Sequence, residues 1–259
     1  MARPRLQKSD APLVEITSTI KALNQRWVSV GKELAGVLDL SPQDIRIDAD
    51  VQSTGAWAGL QGRACERVTR NRGGAAFVVP LCSLPQNLVA WLGLQEVWDV
   101  RGGTKPFIFR QLSLTVHFGY MGNLLKPQVL RLEWPGIRDW LGAGLSFQSQ
   151  GAGHPHWQID ILESLAHQVR PEPRGFEIEE AVEDFETEVV APDLGKLMQS
   201  ITIENMHLAS AARWWLSPCP GIPGQHMNAP PNIEALSLWL TESIRYIRQE
   251  LSRCTIRNR

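Results

Sequence analysis

The chain has 259 residues, 26 Lys and Arg against 27 Asp and Glu, and a formal charge of −1. Hydrophobic residues make up 43% and charged residues 20%, which excludes a mainly disordered, collagenous or disulfide-scaffold chain. The length predicts one or two domains. No apolar run approaches the roughly 18 residues that a membrane-spanning helix needs. The basic start MARPRLQKSDAP lacks the apolar stretch of a secretory signal, so the expectation is a soluble, cytoplasmic protein. Cys65, Cys82, Cys219 and Cys254 form no CxxC pair, and isolated thiols in a reducing compartment are expected. Ten Trp against two Tyr predict a tryptophan-filled core, with a broad contact surface as the alternative.

Residues 1–12 carry Arg3, Arg5 and Lys8 among prolines and read as a flexible basic tail. Over 13–38, Ile16, Ile20, Leu23, Trp27, Val30, Leu34 and Val37 recur at spacings of four and three. That pattern predicts a helix with one apolar stripe, ended by Ser41-Pro42. The segment GRACERVTRNRGG follows. If helical, it puts Arg63, Arg67 and Arg70 on one face, with Arg72 just beyond, as a candidate phosphate-binding patch. Residues 75–81 read as a short buried strand. Leu88, Trp91, Leu92, Leu94, Val97 and Trp98 predict a short helix over 84–100.

Strands are predicted next. Over 106–120, Leu112, Leu114, Val116 and Phe118 alternate with Ser113, Thr115 and His117. Residues 121–127 are a turn. Over 128–134, Val129, Arg131 and Glu133 share one face and Leu130, Leu132 and Trp134 the other. Residues 145–160 and 200–208 read as further extended pieces, and the short connections argue for an antiparallel meander. Between them, 172–193 holds nine acids and one base, leaving 25 bases against 18 acids elsewhere. This acidic insertion is either a solvated loop or a lid on a basic surface. Asn232 is a predicted N-cap for a helix to Arg253, with Ile233, Leu236, Leu240, Ile244, Ile247 and Leu251 as its stripe.

The expected fold is therefore α+β. An antiparallel sheet of about four to six strands packs against long N-terminal and C-terminal helices. The chain divides into the tail, a mainly helical region 13–100, and a sheet region 101–259; these can form one continuous domain.

Chemistry is best placed at GAGHPHWQID, residues 151–160. On an extended chain His154, His156, Gln158 and Asp160 point to one side. His207, from another expected strand, completes three imidazoles, a set that suits a divalent transition metal with an open position. Without metal, the histidines would act as acid and base near neutral pH. Arg131 would hold an anion, and Glu133 would orient a ring. Trp157, Gln158 and His117 are further candidate ligand-binding residues. His154-Pro155-His156 after antiparallel strands is similar to the His-Pro-Asn neighbourhood of ubiquitin-conjugating enzymes and their bacterial relatives. Those enzymes need a cysteine shortly after the motif. The next one here is Cys219, far downstream, so the resemblance does not extend to conjugation.

Nucleotide-binding glycine loops, a GxSxG elbow and HExxH are absent from the sequence. The leading expectation is a non-catalytic interaction or accessory subunit that binds a protein partner or a second copy of itself. The alternative is a metal- or histidine-dependent hydrolase acting on a phosphodiester through His154, His156 and His207. Nucleic-acid binding through Arg63, Arg67, Arg70, Arg72 and the basic C-terminus ranks third, since the net charge gives it no support.

Overall fold

The computed structural model of the protein describes residues 15–68, 71–136, 156–159 and 230–253. Its strands are β1 (Thr17–Ser18), β2 (Arg46–Gln52), β3 (Gly55–Gln61), β4 (Glu66–Arg67), β5 (Phe77–Ser83), β6 (Val89–Val100), β7 (Phe107–Gly119), β8 (Gln128–Pro135) and β9 (His156–Ile159). Its helices are α1 (Ile20–Val37) and α2 (Ile233–Leu251). The fold is α+β, and all strand pairings are antiparallel. Among the described residues the sheet has nine strands, not four to six, because it starts much earlier in the chain than the alternating pattern of 106–134 suggests.

Local chemistry sets the helix starts. Thr19 is extended, and its Oγ1 accepts from Ala22 N at 3.3 Å; this and the pairing of β1 with β7 delay the helix from residue 13 to Ile20. Asn232 caps α2 as expected, its Oδ1 accepting from Ala235 N at 2.8 Å. The two helices run parallel, side by side. Arg26 Nε donates to Ser237 Oγ at 3.0 Å, Arg245 lies 3.7 Å from Glu33, and Arg248 reaches the Val37 carbonyl and the Asp39 carboxylate. That last contact places a cation on the negative end of α1.

Two long strands organise the sheet. β6 pairs with β7 along its whole length. On its other edge it meets β5 through Val89–Gly93 and β3 through Gln95–Asp99. β7 likewise meets β8 and, at Phe107–Ile108, β1. The helices cover one face. Ala90, Leu92, Leu94 and Trp98 of β6, Leu112, Leu114, Val116 and Phe118 of β7, and Leu130, Leu132 and Trp134 of β8 join the apolar stripes of α1 and α2 in one core. Here Trp98 meets Phe109 and Trp134 meets Trp239 at ring-centroid distances of 5.4 and 5.5 Å. Trp27, Trp91, Trp98, Trp134 and Trp239 are all buried, so these five indoles fill the interior rather than a contact surface.

The expected helix over 84–100 is instead β6, and 13–100 holds one α-helix and six strands rather than being mainly helical. The misreading has a physical cause. β6 is buried on both faces, with Trp91 and Val97 opposite Leu92 and Trp98, so its apolar residues do not keep a period of two. The expected strands at 75–81, 106–120 and 128–134 appear as β5, β7 and β8. The acidic insertion, the strand at 200–208 and all of the expected 145–160 piece except 156–159 lie outside the described residues. Among the described residues, no helix is long and apolar enough to cross a membrane.

Two glycines test this packing with opposite signs. A Cβ on Gly55 would run into the carbonyl of Trp98 across the β3–β6 pairing, whereas one on Gly36 in α1 meets nothing within 4 Å. Gly55→Ala is expected to lower unfolding stability by about 1–3 kcal/mol. Gly36→Ala is expected to raise it by about 0.5–1 kcal/mol. Urea denaturation of both variants checks the pair.

Candidate functional site

The sheet face turned away from the helices is polar and yet buried. Ser113, Thr115 and His117 project there from β7, and all three are at most 2% exposed. Arg131 and Glu133 from β8 and Gln158 from β9 continue the same rows, since Thr115 pairs with Arg131, Ser113 with Glu133, and Arg131 with Gln158. Two segments fold over this face. One follows β4 and carries Asn71, Gly73 and Gly74. The other is the β7–β8 hairpin tip, residues 120–127.

Hydrogen bonds tie both segments to His117. Its Nδ1 lies 2.9 Å from the Lys126 carbonyl and its Nε2 lies 3.1 Å from Thr115 Oγ1. A carbonyl only accepts, so the network assigns the proton to Nδ1 and makes Nε2 an acceptor for the Thr115 hydroxyl. Thr115 Oγ1 in turn accepts from Asn71 Nδ2 at 2.9 Å. Beside this chain Lys126, its side chain fully buried, donates to Glu66 at 2.8 Å and to the Asn123 carbonyl. Its ammonium sits 4.4 Å from the ring centre of Trp91, whose indole N–H donates to the Gly119 carbonyl at 3.0 Å.

The neighbouring group is a chain of side-chain contacts. Arg131 Nη2 donates to Gln158 Oε1 at 2.6 Å, Arg131 Nη1 lies 3.3 Å from Glu133 Oε1, and Gln111 Nε2 donates to the same Glu133 oxygen at 3.2 Å. Arg131 Nε and Ser113 Oγ are buried without a hydrogen-bond partner. Arg131, Glu133 and Gln158 thus lie together. However, the two ionic groups are turned to each other, which leaves the arginine less available to an anion.

Other expected site residues are placed differently. Trp157 pairs with Leu132 on the helix side of the sheet, 5.7 Å from the ring of Tyr246. It and Gln158 therefore sit on opposite faces and cannot line one pocket. His117 is no open ligand, since both ring nitrogens are bonded and the residue is 0% exposed. The expected arginine helix does not form: Arg63 stands in a turn with its side chain 76% exposed and paired with Asp44 at 2.9 Å, while Arg67 is exposed in β4. Gly62, at φ +138, makes the turn there. Arg70, His154, Asp160 and His207 lie outside the described residues, and of His156 the structure gives the backbone pairing with Glu133. Among the described residues no group of three His, Cys, Asp or Glu could hold a metal ion.

The sequence reading missed Glu66, Asn71, Trp91 and Lys126. Their one visible signal is Met121 with Leu124-Leu125, apolar residues in a segment whose Gly122 and Asn123 mark it as a turn. The Cys65 thiol is free. Burial, opposed by the Arg46 charge, pushes the Cys65 thiol up to about 11, which keeps it protonated and unreactive at neutral pH. With this geometry in hand, no protein-family model, no curated protein and no solved structure matches the chain.

Burial pulls the His117 imidazole down to about 4, and the Lys126 ammonium acts in the same direction while the Lys126 carbonyl opposes it. The unfolded ring takes up a proton near pH 6.5, and the folded ring stays neutral. Stability is therefore expected to fall as pH drops from about 6.5 to about 4, by up to about 1.4 kcal/mol per unit from this group, and to gain no further loss from it below that. Denaturant titrations across this window, compared with those of His117→Asn, isolate the contribution; the variant should lack it. A second expectation concerns Gly73, where a Cβ would lie 2.7 Å from Thr115 Cγ2 and 2.8 Å from Ser113 Oγ. Gly73→Ala should lift this segment off the sheet, read as faster amide exchange at residues 71–76 with the helices unchanged.

Proposed function

We propose that the protein is a non-catalytic interaction or accessory subunit whose contact for a protein partner is the β7–β8 hairpin tip. The observation that carries this reading is the exposure of Met121, Leu124 and Leu125, at 62%, 55% and 48%, on one short loop. Single exposed apolar residues are ordinary; three on one fixed loop form an anchor. The loop is fixed because Gly122 N donates to both Glu66 oxygens at 3.1 and 3.0 Å, Leu125 N donates to Asn123 Oδ1 at 2.8 Å, and Lys126 reaches Glu66 from below. A loop already held in place loses little entropy when a partner closes on it. The free thiol of Cys65 supports a cytoplasmic setting.

The test is Leu124→Ser with Leu125→Ser. The double variant should keep the wild-type circular dichroism and unfolding midpoint. It should bind the protein that co-purifies with the wild type at least about tenfold more weakly, since buried anchors contribute more than about 1 kcal/mol each. Wild-type affinity in the double variant would contradict the reading. Sedimentation of the purified protein distinguishes a second copy of the chain from a different partner.

The pairing of His156 with Glu133, two residues along from the Arg131–Gln158 contact, favours a second reading. In it, His154, His156 and His207 form a metal- or histidine-dependent centre that hydrolyses phosphodiesters. It predicts stoichiometric zinc, manganese or iron in the purified protein that is lost in His154→Ala/His156→Ala. A metal content equal in the two proteins would remove the metal form of this reading.

A further inference from the structure

On the outer face, His117 is bonded toward both covering segments. Through Nδ1 it holds the hairpin at the Lys126 carbonyl. Through Nε2 and the Thr115 hydroxyl it holds Asn71. Asn71 is the anchor of its own segment, since its Oδ1 also accepts from Gly73 N at 2.9 Å and its carbonyl accepts from Gly74 N at 3.1 Å. In the neutral state the protons run one way along the chain, from Asn71 to Thr115 to His117 to the Lys126 carbonyl.

We propose that His117 is a proton-operated latch, and that protonating its ring releases residues 71–76 and 120–127 together. Adding a proton at Nε2 turns that nitrogen from acceptor to donor. The Thr115 hydroxyl then loses the acceptor it has in this chain of bonds, and the hydroxyl lies buried, where an unmade bond is costly. Among the described residues, the new charge also finds no open counter-ion facing it. Lys126 from the hairpin is itself cationic. Glu66 from β4 is held by Lys126 and Gly122, and Glu133 from β8 is held by Arg131 and Gln111. Arg131 of β8 and Arg72 of the covering segment add positive charge. A buried, unpaired imidazolium must reach water, and the two segments are what separates this face from it. The depressed titration of the ring agrees with this, because the closed form resists the proton. The latch does not depend on what the hairpin tip binds.

The experiment follows two signals in the wild-type protein as pH is lowered from about 7 to about 4. One is the His117 ring resonance by NMR, and the other is amide exchange, corrected for its intrinsic pH dependence. Peptides spanning 71–76 and 120–127 should lose protection with one shared midpoint that coincides with the ring titration. One unit below that midpoint their opening should be about tenfold greater, while α1 and β6 peptides stay protected. His117→Asn, which can still donate to the Lys126 carbonyl but cannot titrate, should abolish the transition. The proposal is overturned if the ring titrates while both segments stay protected, if the segments open at separate midpoints, or if opening persists in His117→Asn. Persistent opening would make Glu66 the trigger, and Glu66→Gln would then open the hairpin at neutral pH.

Discussion

The architecture depends on one buried ion pair. Arg26 of α1 and Glu96 of β6 meet in the core, where Arg26 Nη1 lies 2.6 Å from both Glu96 oxygens. Taking both charges out of water costs several kcal/mol per ion, so the pair is tolerable only where the surroundings complete it. They do so with unusual thoroughness for the carboxylate. The indole N–H groups of Trp27 and Trp98 both donate to Glu96 Oε1, at 2.9 and 2.7 Å, and Ser237 of α2 receives Arg26 Nε. Three elements distant in sequence thereby share one electrostatic knot. A shift of α1 by a turn would strand a charge in apolar surroundings, and a shift of α2 would take the Ser237 hydroxyl from Arg26, so the knot selects the helix placement as well as contributing to its stability.

That placement has consequences on the far side of the sheet. With α1 and α2 fixed over Leu92, Leu94, Leu114 and Leu132, the alternate residues of β6, β7 and β8 must face away from the helices. These are Trp91, Ser113, Thr115, His117, Arg131 and Glu133. The polar side chains among them cannot be satisfied by the sheet ladder, and the two covering segments supply their partners. The helical side carries the apolar core around one ion pair; the other side carries a hydrogen-bonded network around one neutral histidine. The apolar hairpin tip is exposed because the rest of its loop is committed to that network.

What the sequence made legible follows from how local each signal is. The stripes of α1 and α2, the Asn232 cap and the alternation of β7 and β8 depend on near neighbours in the chain, and they were readable. The face shared by Arg131 and Glu133 was readable for the same reason. β6 is not, because burial on both faces removes its period, and nothing in its neighbours marks Glu96 as buried. No local pattern marks Arg26 as buried either. The Arg131–Gln158 contact depends on the β8–β9 register, which joins residues 27 apart, and no local pattern reports it. His117 was visible as a polar-face histidine. Its double bonding was not, since its partners come from two loops. The arginines at 63, 67 and 70 seemed to share a helical face only because a glycine-made turn and a two-residue strand leave no periodic trace.

The most direct test of the account is a double-mutant cycle on Arg26 and Glu96, with Arg26→Met, Glu96→Gln and the pair combined, followed by urea unfolding. Each single substitution leaves a buried charge without its partner and is predicted to cost about 3–5 kcal/mol. The combined variant removes both charges and should cost no more than either single one, giving a coupling energy of at least about 2 kcal/mol. Costs that add within about 0.5 kcal/mol would show that the two side chains do not depend on each other, and would contradict the claim that this pair holds the helices to the sheet.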